Sequence, residues 1–159
     1  MAASRGSAPT AVAVGDDQLL AAKVRLLEAF VSRSDITDCT QYALEWLGEI
    51  LGLAPSLCLL KSAGEEILFT VGAHGVLGTT ASRFTVSLED WNNPFVTAFS
   101  NRESTFFRSA HSAVDRKRRP STPLEDAAFH VVPLFADELS HDAFGLLLIG
   151  HGGPLPHEL

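Results

Sequence analysis

The apolar positions of this chain change period several times, and each change marks an element. Leu20, Val24, Leu27 and Val31 recur at spacings of four, three and four, which places them on one helical stripe with Phe30 beside it; Asp16 or Asp17 can cap the start. A second helix begins near Ser34–Asp35, with Ile36, Cys39, Ala43, Leu47, Ile50 and Leu51 on its apolar face, and Gly52 followed by Pro55 stops it. The pattern then turns strand-like. Residues 57–61 (LCLLK) form a short continuous apolar run, Gly64–Glu65 supplies a turn, and Ile67 to Val71 returns as its hairpin partner.

The glycine-rich stretch 72–80 reads as a loop, after which Phe84, Val86 and Leu88 alternate with Arg83, Thr85 and Ser87 in the period of a strand with one dry face. Trp91, Phe95, Val96 and Phe99 then share one side of a short helix whose first turn holds Asn92-Asn93-Pro94, where proline is tolerated. Residues 104–108 (STFFR) make a plausible strand. Residues 109–127, with the basic run Arg116-Lys117-Arg118-Arg119, offer almost nothing a core would accept. The closing segment, Phe129 to Gly150, has two apolar runs around the polar stretch 136–142, which predicts an antiparallel hairpin at the centre of the sheet, with Pro133 at a bulge or at an end of ladder pairing.

Mixed elements with hairpin connections indicate an α+β fold around an antiparallel sheet rather than a doubly wound parallel one. With 159 residues, one domain suffices, and a hydrophobic fraction of 46% with 19% charged residues is ordinary for a globular protein. The formal charge of −7 argues against nonspecific binding to nucleic acid or to an anionic membrane. No apolar run approaches the ~20 residues that span a bilayer. Cys39 and Cys58 lack CxxC spacing, so neither a disulfide framework nor a zinc site is indicated, and a reducing cytoplasm fits. The Ala/Ser/Gly/Pro-rich opening, residues 1–16, reads as a disordered tail, residues 17–152 as the domain, and 153–159 as the start of a linker or tail.

The order of elements resembles the GAF domain, a sensory module of bacterial signalling proteins such as sensor histidine kinases. The likeness is carried by DITDCTQYALEWLGEILGLAPSLCLL and by the closing FHVVPLFADELSHDAFGLLLIG. The resemblance implies a GAF/profilin-like architecture: a central antiparallel sheet of about six strands, N-terminal helices on one face, and a short helix plus loops over the other, where a small-molecule pocket lies. It also implies a cytoplasmic regulatory domain, not itself an enzyme, that modulates a linked effector such as a histidine kinase and works as a homodimer through its terminal helices. The family's sharper motifs are missing. Cyclic-nucleotide binders carry an Asn-Lys…Phe…Asp-Glu constellation, whereas Phe135-Ala136-Asp137-Glu138 has other spacing and no preceding Asn-Lys. Bilin-binding members need a pocket cysteine, and residues 71–132 contain none. Members that reduce free methionine sulfoxide need several cysteines for thiol exchange, and here the two fall on an early helix and the first strand.

In such a fold the expected ligand-binding residues are Trp91, Phe95, Phe84, Phe107, His130 and His111, with Phe106 nearby; among ten phenylalanines, core packing is the ordinary fate. Trp91 opens a helix beside a loop and has an indole N–H to offer. Loop histidines such as His74 and His111, and His130 at the start of the closing hairpin, could ligate haem or iron, although no HxH or HxxxH spacing is present. No cofactor is indicated by the residues themselves, and no GxSxG, HExxH, P-loop or GxGxxG motif is found. The basic run 116–119 could attract an anion or be a solvated loop offset by Asp115, Glu125 and Asp126. Leu20, Val24, Leu27 and Val31 could pack on the domain's own sheet or on a dimer partner. Besides the ligand-sensing reading, the residues leave open a ligand-free dimerisation or protein-interaction module whose pocket is filled by its own aromatics.

Overall fold

A computed structural model describes residues 15–110, 112–137 and 142–150. Six strands form one sheet: β1 (Ser56–Lys61), β2 (Ile67–His74), β3 (Thr85–Ser87), β4 (Thr105–Phe107), β5 (Phe129–Leu134) and β6 (Gly145–Gly150). Their spatial order is β3-β2-β1-β6-β5-β4, and every neighbouring pair is antiparallel. The closing hairpin therefore supplies β6 to the centre, beside β1, while β5 stands one strand in from the edge. The chain's first and last strands meet because both are apolar on two faces: Leu57, Leu59, Leu146 and Leu148 are fully buried on one, each stabilising by roughly 1.5–3 kcal/mol relative to exposure, and Cys58 and Ile149 are buried on the other. Pro133 keeps its place opposite Leu146 with no bulge, and the short β4 ladder stops at Val131, so the proline's missing N–H costs no pairing on that side. The bulge lies elsewhere, where β1 steps from Cys58 opposite Gly72 to Leu59 opposite Thr70 and leaves Val71 as the extra residue.

Helix α1 (Asp16–Ser32) docks on α2 (Ile36–Leu51), and α2 lies on β1 and β2. The α1 start is Gly15, which has no side-chain cap; Asp16 and Asp17 fall inside the first turn, where their charge favours the helix dipole. Asp35 caps α2 instead, its carboxylate accepting from the N–H groups of Thr37 (2.7 Å) and Asp38 (3.1 Å). These bonds hold the Asp35 carboxyl below its ordinary range, with Asp38 the larger cause. Gly52 ends α2 at a φ of 66°, its N–H bonding to the Gly48 carbonyl while the Leu53 N–H reaches Leu47, a Schellman closure. Two glycines let α2 settle on the sheet: a Cβ at Gly72 would meet the Thr40 side chain at 2.9 Å, and Gly48 lies against the His74 ring. The buried residues of α2 are Leu44 and Trp46 rather than the full apolar face the spacing predicts; Ile36 stays exposed.

The other face of the sheet carries α3 (Gly78–Ala81) and α4 (Pro94–Asn101), with α5 (Ala113–Arg118) in the connection before β5. Two expectations change here. The glycine-rich stretch 72–80 is not all loop, because β2 runs on to His74 and α3 forms a single turn. The polar connection 109–127 also holds core residues: Leu124 joins the main cluster, and Ala110 is buried. That cluster, centred on Leu57, Leu59, Leu146, Leu148, Phe95, Val96 and Phe129, lies between the sheet and α4. Among the described residues, no helix is long and apolar enough to cross a membrane.

Candidate functional site

Four of the aromatics on the α4 side come together. Phe95 stands edge-on to Phe84 (centroids 6.1 Å apart) and to Phe107 (6.3 Å), and Phe107 stacks on Phe129 at 5.0 Å. Phe95 and Phe129 are sealed from solvent, so this quartet fills the space directly over the sheet; Phe84 and Phe107 are half-buried at its margin. Phe84 is held by its backbone, its N–H bonding to Ala81 and its carbonyl accepting from the Thr70 hydroxyl at 2.9 Å.

The remaining residues expected at the site do not converge. Trp91 precedes α4 rather than belonging to it, because Asn93 is the helix cap, its Oδ1 accepting from the Phe95 N–H at 3.0 Å with Pro94 in the first turn; the indole is left 74% exposed. His130 and Phe106 oppose one another across β4 and β5 with rings 4.5 Å apart. Strand alternation places them on the opposite face of the sheet from Phe129 and Phe107, so neither can share a pocket with Phe84 and Phe95. His111 lies outside the described residues. His74 sits at the end of β2 against Gly48 of α2 rather than in a loop.

What the quartet leaves open is a cleft of about 440 Å³ at its edge, between β3, the start of α4 and the connection before β5. Phe84, Pro94 and Pro120, over the buried Val86 and Phe95, supply its apolar lining; Thr85, Asp90, Asn92, Asn93 and Ser121 supply its polar groups. Among the described residues, its one charged lining residue is Asp90, whose field favours a cation or a neutral hydrogen-bonding molecule over an anion. These polar residues were hidden in the sequence as a helix start and a loop. The sign that could have found them is the run Asp90-Trp91-Asn92-Asn93 ahead of Pro94: proline at the helix start leaves the preceding amides and carboxylate outside the helix, free to face a cleft.

The described part of the connection bonds to itself at several points. Ser112 caps α5 reciprocally with Asp115, accepting from its N–H at 3.1 Å and donating to its carboxylate at 2.7 Å. Arg116 grips Asp126 in a bidentate pair, with Nε 3.0 Å from both carboxylate oxygens, and the carboxylate pushes the guanidinium pKa further up. Arg119 donates to the carbonyls of Asp126 (3.0 Å) and Ala127 (2.6 Å) and covers the Phe129 ring. Two of the four basic residues at 116–119 are thus committed to the chain's own groups. They form the wall of a second cavity of about 220 Å³ that shares Pro120 and Ser121 with the cleft.

Cys58 is buried under α2, and burial pushes its thiol up to about 12, so the reactive thiolate is scarce at neutral pH. Among the described residues, no three His, Cys, Asp or Glu side chains gather as a metal site would require.

No family model matches the chain, and no curated protein does. Solved structures do. The GAF domain of a phosphoenolpyruvate-protein phosphotransferase from Acinetobacter superposes with a TM-score of 0.66 at 13% identity, over 86% of this chain and 78% of that one. A methyl-accepting chemotaxis protein fragment, residues 122 to 287, gives 0.64 at 15% identity over 82% of each chain. The GAF domain of the corresponding phosphotransferase from Coxiella burnetii gives 0.64 at 11%, over 83% of this chain and 76% of that one. At such identities the likeness is one of fold. Two N-terminal helices, six antiparallel strands in the order β3-β2-β1-β6-β5-β4 and the short helices opposite together make this chain a GAF-fold domain.

Proposed function

We propose that the chain is a signal-sensing regulatory domain that binds a small molecule and modulates a linked effector such as a histidine kinase. The observation that carries this reading is the 440 Å³ cleft beside the aromatic quartet, which is within the range of small-molecule sites and combines an apolar wall with a few polar groups. Asp90 on its rim makes the ligand neutral or cationic, rich in donors, and so chemically unlike a cyclic nucleotide. Ligand bound there touches β3, α4 and the 119–127 connection at once, and favours the arrangement of these elements in which all three sets of contacts are made. The mechanism is a population shift in a homodimer joined through Leu20, Val24, Leu27 and Val31, with the terminal helices carrying the change onward. The domain itself is regulatory rather than catalytic, and it acts in the cytoplasm.

The test is a thermal-shift and native-mass-spectrometry screen of polyamines, amino acids, polyols and nucleotides. A ligand at a hundredfold excess over its Kd stabilises by about 2.7 kcal/mol, and Asp90→Ala or the cleft-filling Ser121→Trp should abolish the shift. Binding that survives both variants would move the site elsewhere. A second reading, an interaction module without ligand, is favoured by the complete burial of Phe95 and Phe129 over the sheet. It predicts no shift with any compound in the screen.

A further inference from the structure

The cleft beside the aromatic quartet offers hydrogen bonds of both senses and little charge. Asn92 and Asn93 bring amides, Thr85 and Ser121 bring hydroxyls, and Asp90 brings the one carboxylate among the described residues that line it. An amide or a hydroxyl both donates and accepts, whereas a carboxylate only accepts. Most of this capacity is unspent. The Asn93 Oδ1 accepts from the Phe95 N–H, which leaves its amide N–H groups, and the side chains of Thr85, Asp90, Asn92 and Ser121 hold no hydrogen bond or ion pair with the described residues.

That inventory separates the ligand classes. A nucleotide or an amino acid brings an anionic group, and no Lys, Arg or His among the described residues lines the cleft to meet it. A polyamine sets several positive charges against one carboxylate, and its N–H groups only donate, so the amide N–H groups of the cleft go unmatched. A sugar or a cyclitol is neutral, and each of its hydroxyls donates and accepts as the lining does; two adjacent hydroxyls can bond together to one amide or carboxylate. Its C–H faces need apolar support, which Phe84, Pro94 and Pro120 supply.

An exposed indole stands at the same edge. The Asn93 N–H donates to the Asp90 carbonyl at 2.9 Å and closes a turn with Trp91 at its corner, between two residues that line the cleft. Trp91 is 74% exposed, so the packing of its own domain leaves this large apolar surface unused. At the mouth of a polar cleft, such a ring is a platform for the C–H face of a sugar.

We infer that the cleft binds a neutral polyhydroxylated ring, a sugar or a cyclitol, with Asp90 and Asn92 bonded to its hydroxyls and Trp91 against its C–H face. The inference rests on the ligand-binding reading above, and the two fail separately. The test is a titration with D-glucose, D-galactose, D-ribose and myo-inositol, with spermidine and L-arginine as charged comparators, followed by calorimetry and by tryptophan fluorescence. The chain has two tryptophans, and Trp46 is buried, so a ligand at the cleft mouth shifts the emission of Trp91 alone. At least one neutral compound should bind with that shift, at an affinity indifferent to salt, because no charge pair forms. Asn92→Ala should weaken it roughly tenfold. Trp91→Ala should weaken it several-fold and abolish the spectral response. Both side chains are exposed, so the unfolding curves of the two variants should match the parent's. Spermidine or arginine binding in place of every neutral compound would overturn the inference and keep the cleft as a site. Neutral binding without the Trp91 shift, or undiminished in Asn92→Ala, would overturn it too. No binding by any of these compounds at millimolar concentration would overturn it as well, and a blank across the wider screen would take the ligand-binding reading with it.

Discussion

Helices α1 and α4 carry apolar residues at the same kind of spacing and meet opposite fates. Leu20, Val24, Leu27 and Val31 stay in solvent, whereas Phe95, Val96 and Ala98 disappear into the main cluster. The difference lies in what else each helix offers. On α1, a second side with Ala22 and Ala29 lets the helix approach α2 closely and spends its contact with the domain there, leaving the larger aliphatics outward. The eight-residue α4 has one apolar side only, and the sheet takes it. Spacing identifies a helix and a face; the competition between faces decides which one is buried.

The largest effect that would break this contrast is on α4. Phe95→Ala should cost about 3–5 kcal/mol in denaturant unfolding, since it empties the centre of the aromatic quartet, whereas Val31→Asp on α1, compared with the parent at concentrations where both are single protomers, should stay within about 0.5 kcal/mol. Comparable losses at the two positions would mean that the stripe belongs to the domain's own core. Next in size is the joint between the helices: Trp46→Phe keeps the packing but drops the bond to Ala22, for a loss of about 1 kcal/mol, and a loss near zero would show that α1 is held by its alanines alone.

The smallest effect concerns the start of α2. Because the Asp35 carboxyl sits below its ordinary value of 3.8 in the folded protein, it contributes stability that is present above that value and is lost as pH falls through the depressed one. Asp35→Ala should thus melt earlier than the parent at pH 7, with the difference narrowing in acid, and Asp35→Asn should retain more of the cap than Asp35→Ala. A difference that does not change with pH would assign the loss to something other than the carboxylate.

Much of the architecture was legible from the chain. Both long helices, the early hairpin, Asn93-Pro94 at a helix start and the closing hairpin all follow from period and punctuation, because each is decided by neighbours within a few residues. The site was not legible in the same way. The spacing of Trp91 to Phe95 fits a helix, but the capping bond of Asn93 starts α4 after it. Fold position groups His130 with Phe107, but a register of one residue on β4 and β5 separates the two by the thickness of the sheet. Leu124 was hidden among charges, and the grip of Arg116 on Asp126 that organises its connection joins residues ten apart. Cleft residues from β3, α4 and the connection meet only through the tertiary fold.

The most direct test of the account is the mass in solution, by light scattering, of the parent protein and of Val31→Asp, with unfolding curves recorded on both. The outward stripe predicts twice the protomer mass for the parent and a single protomer for the variant, with superimposable unfolding of the separated protomers. A parent that is monomeric at all concentrations, or a variant that loses its fold along with its partner, would contradict it.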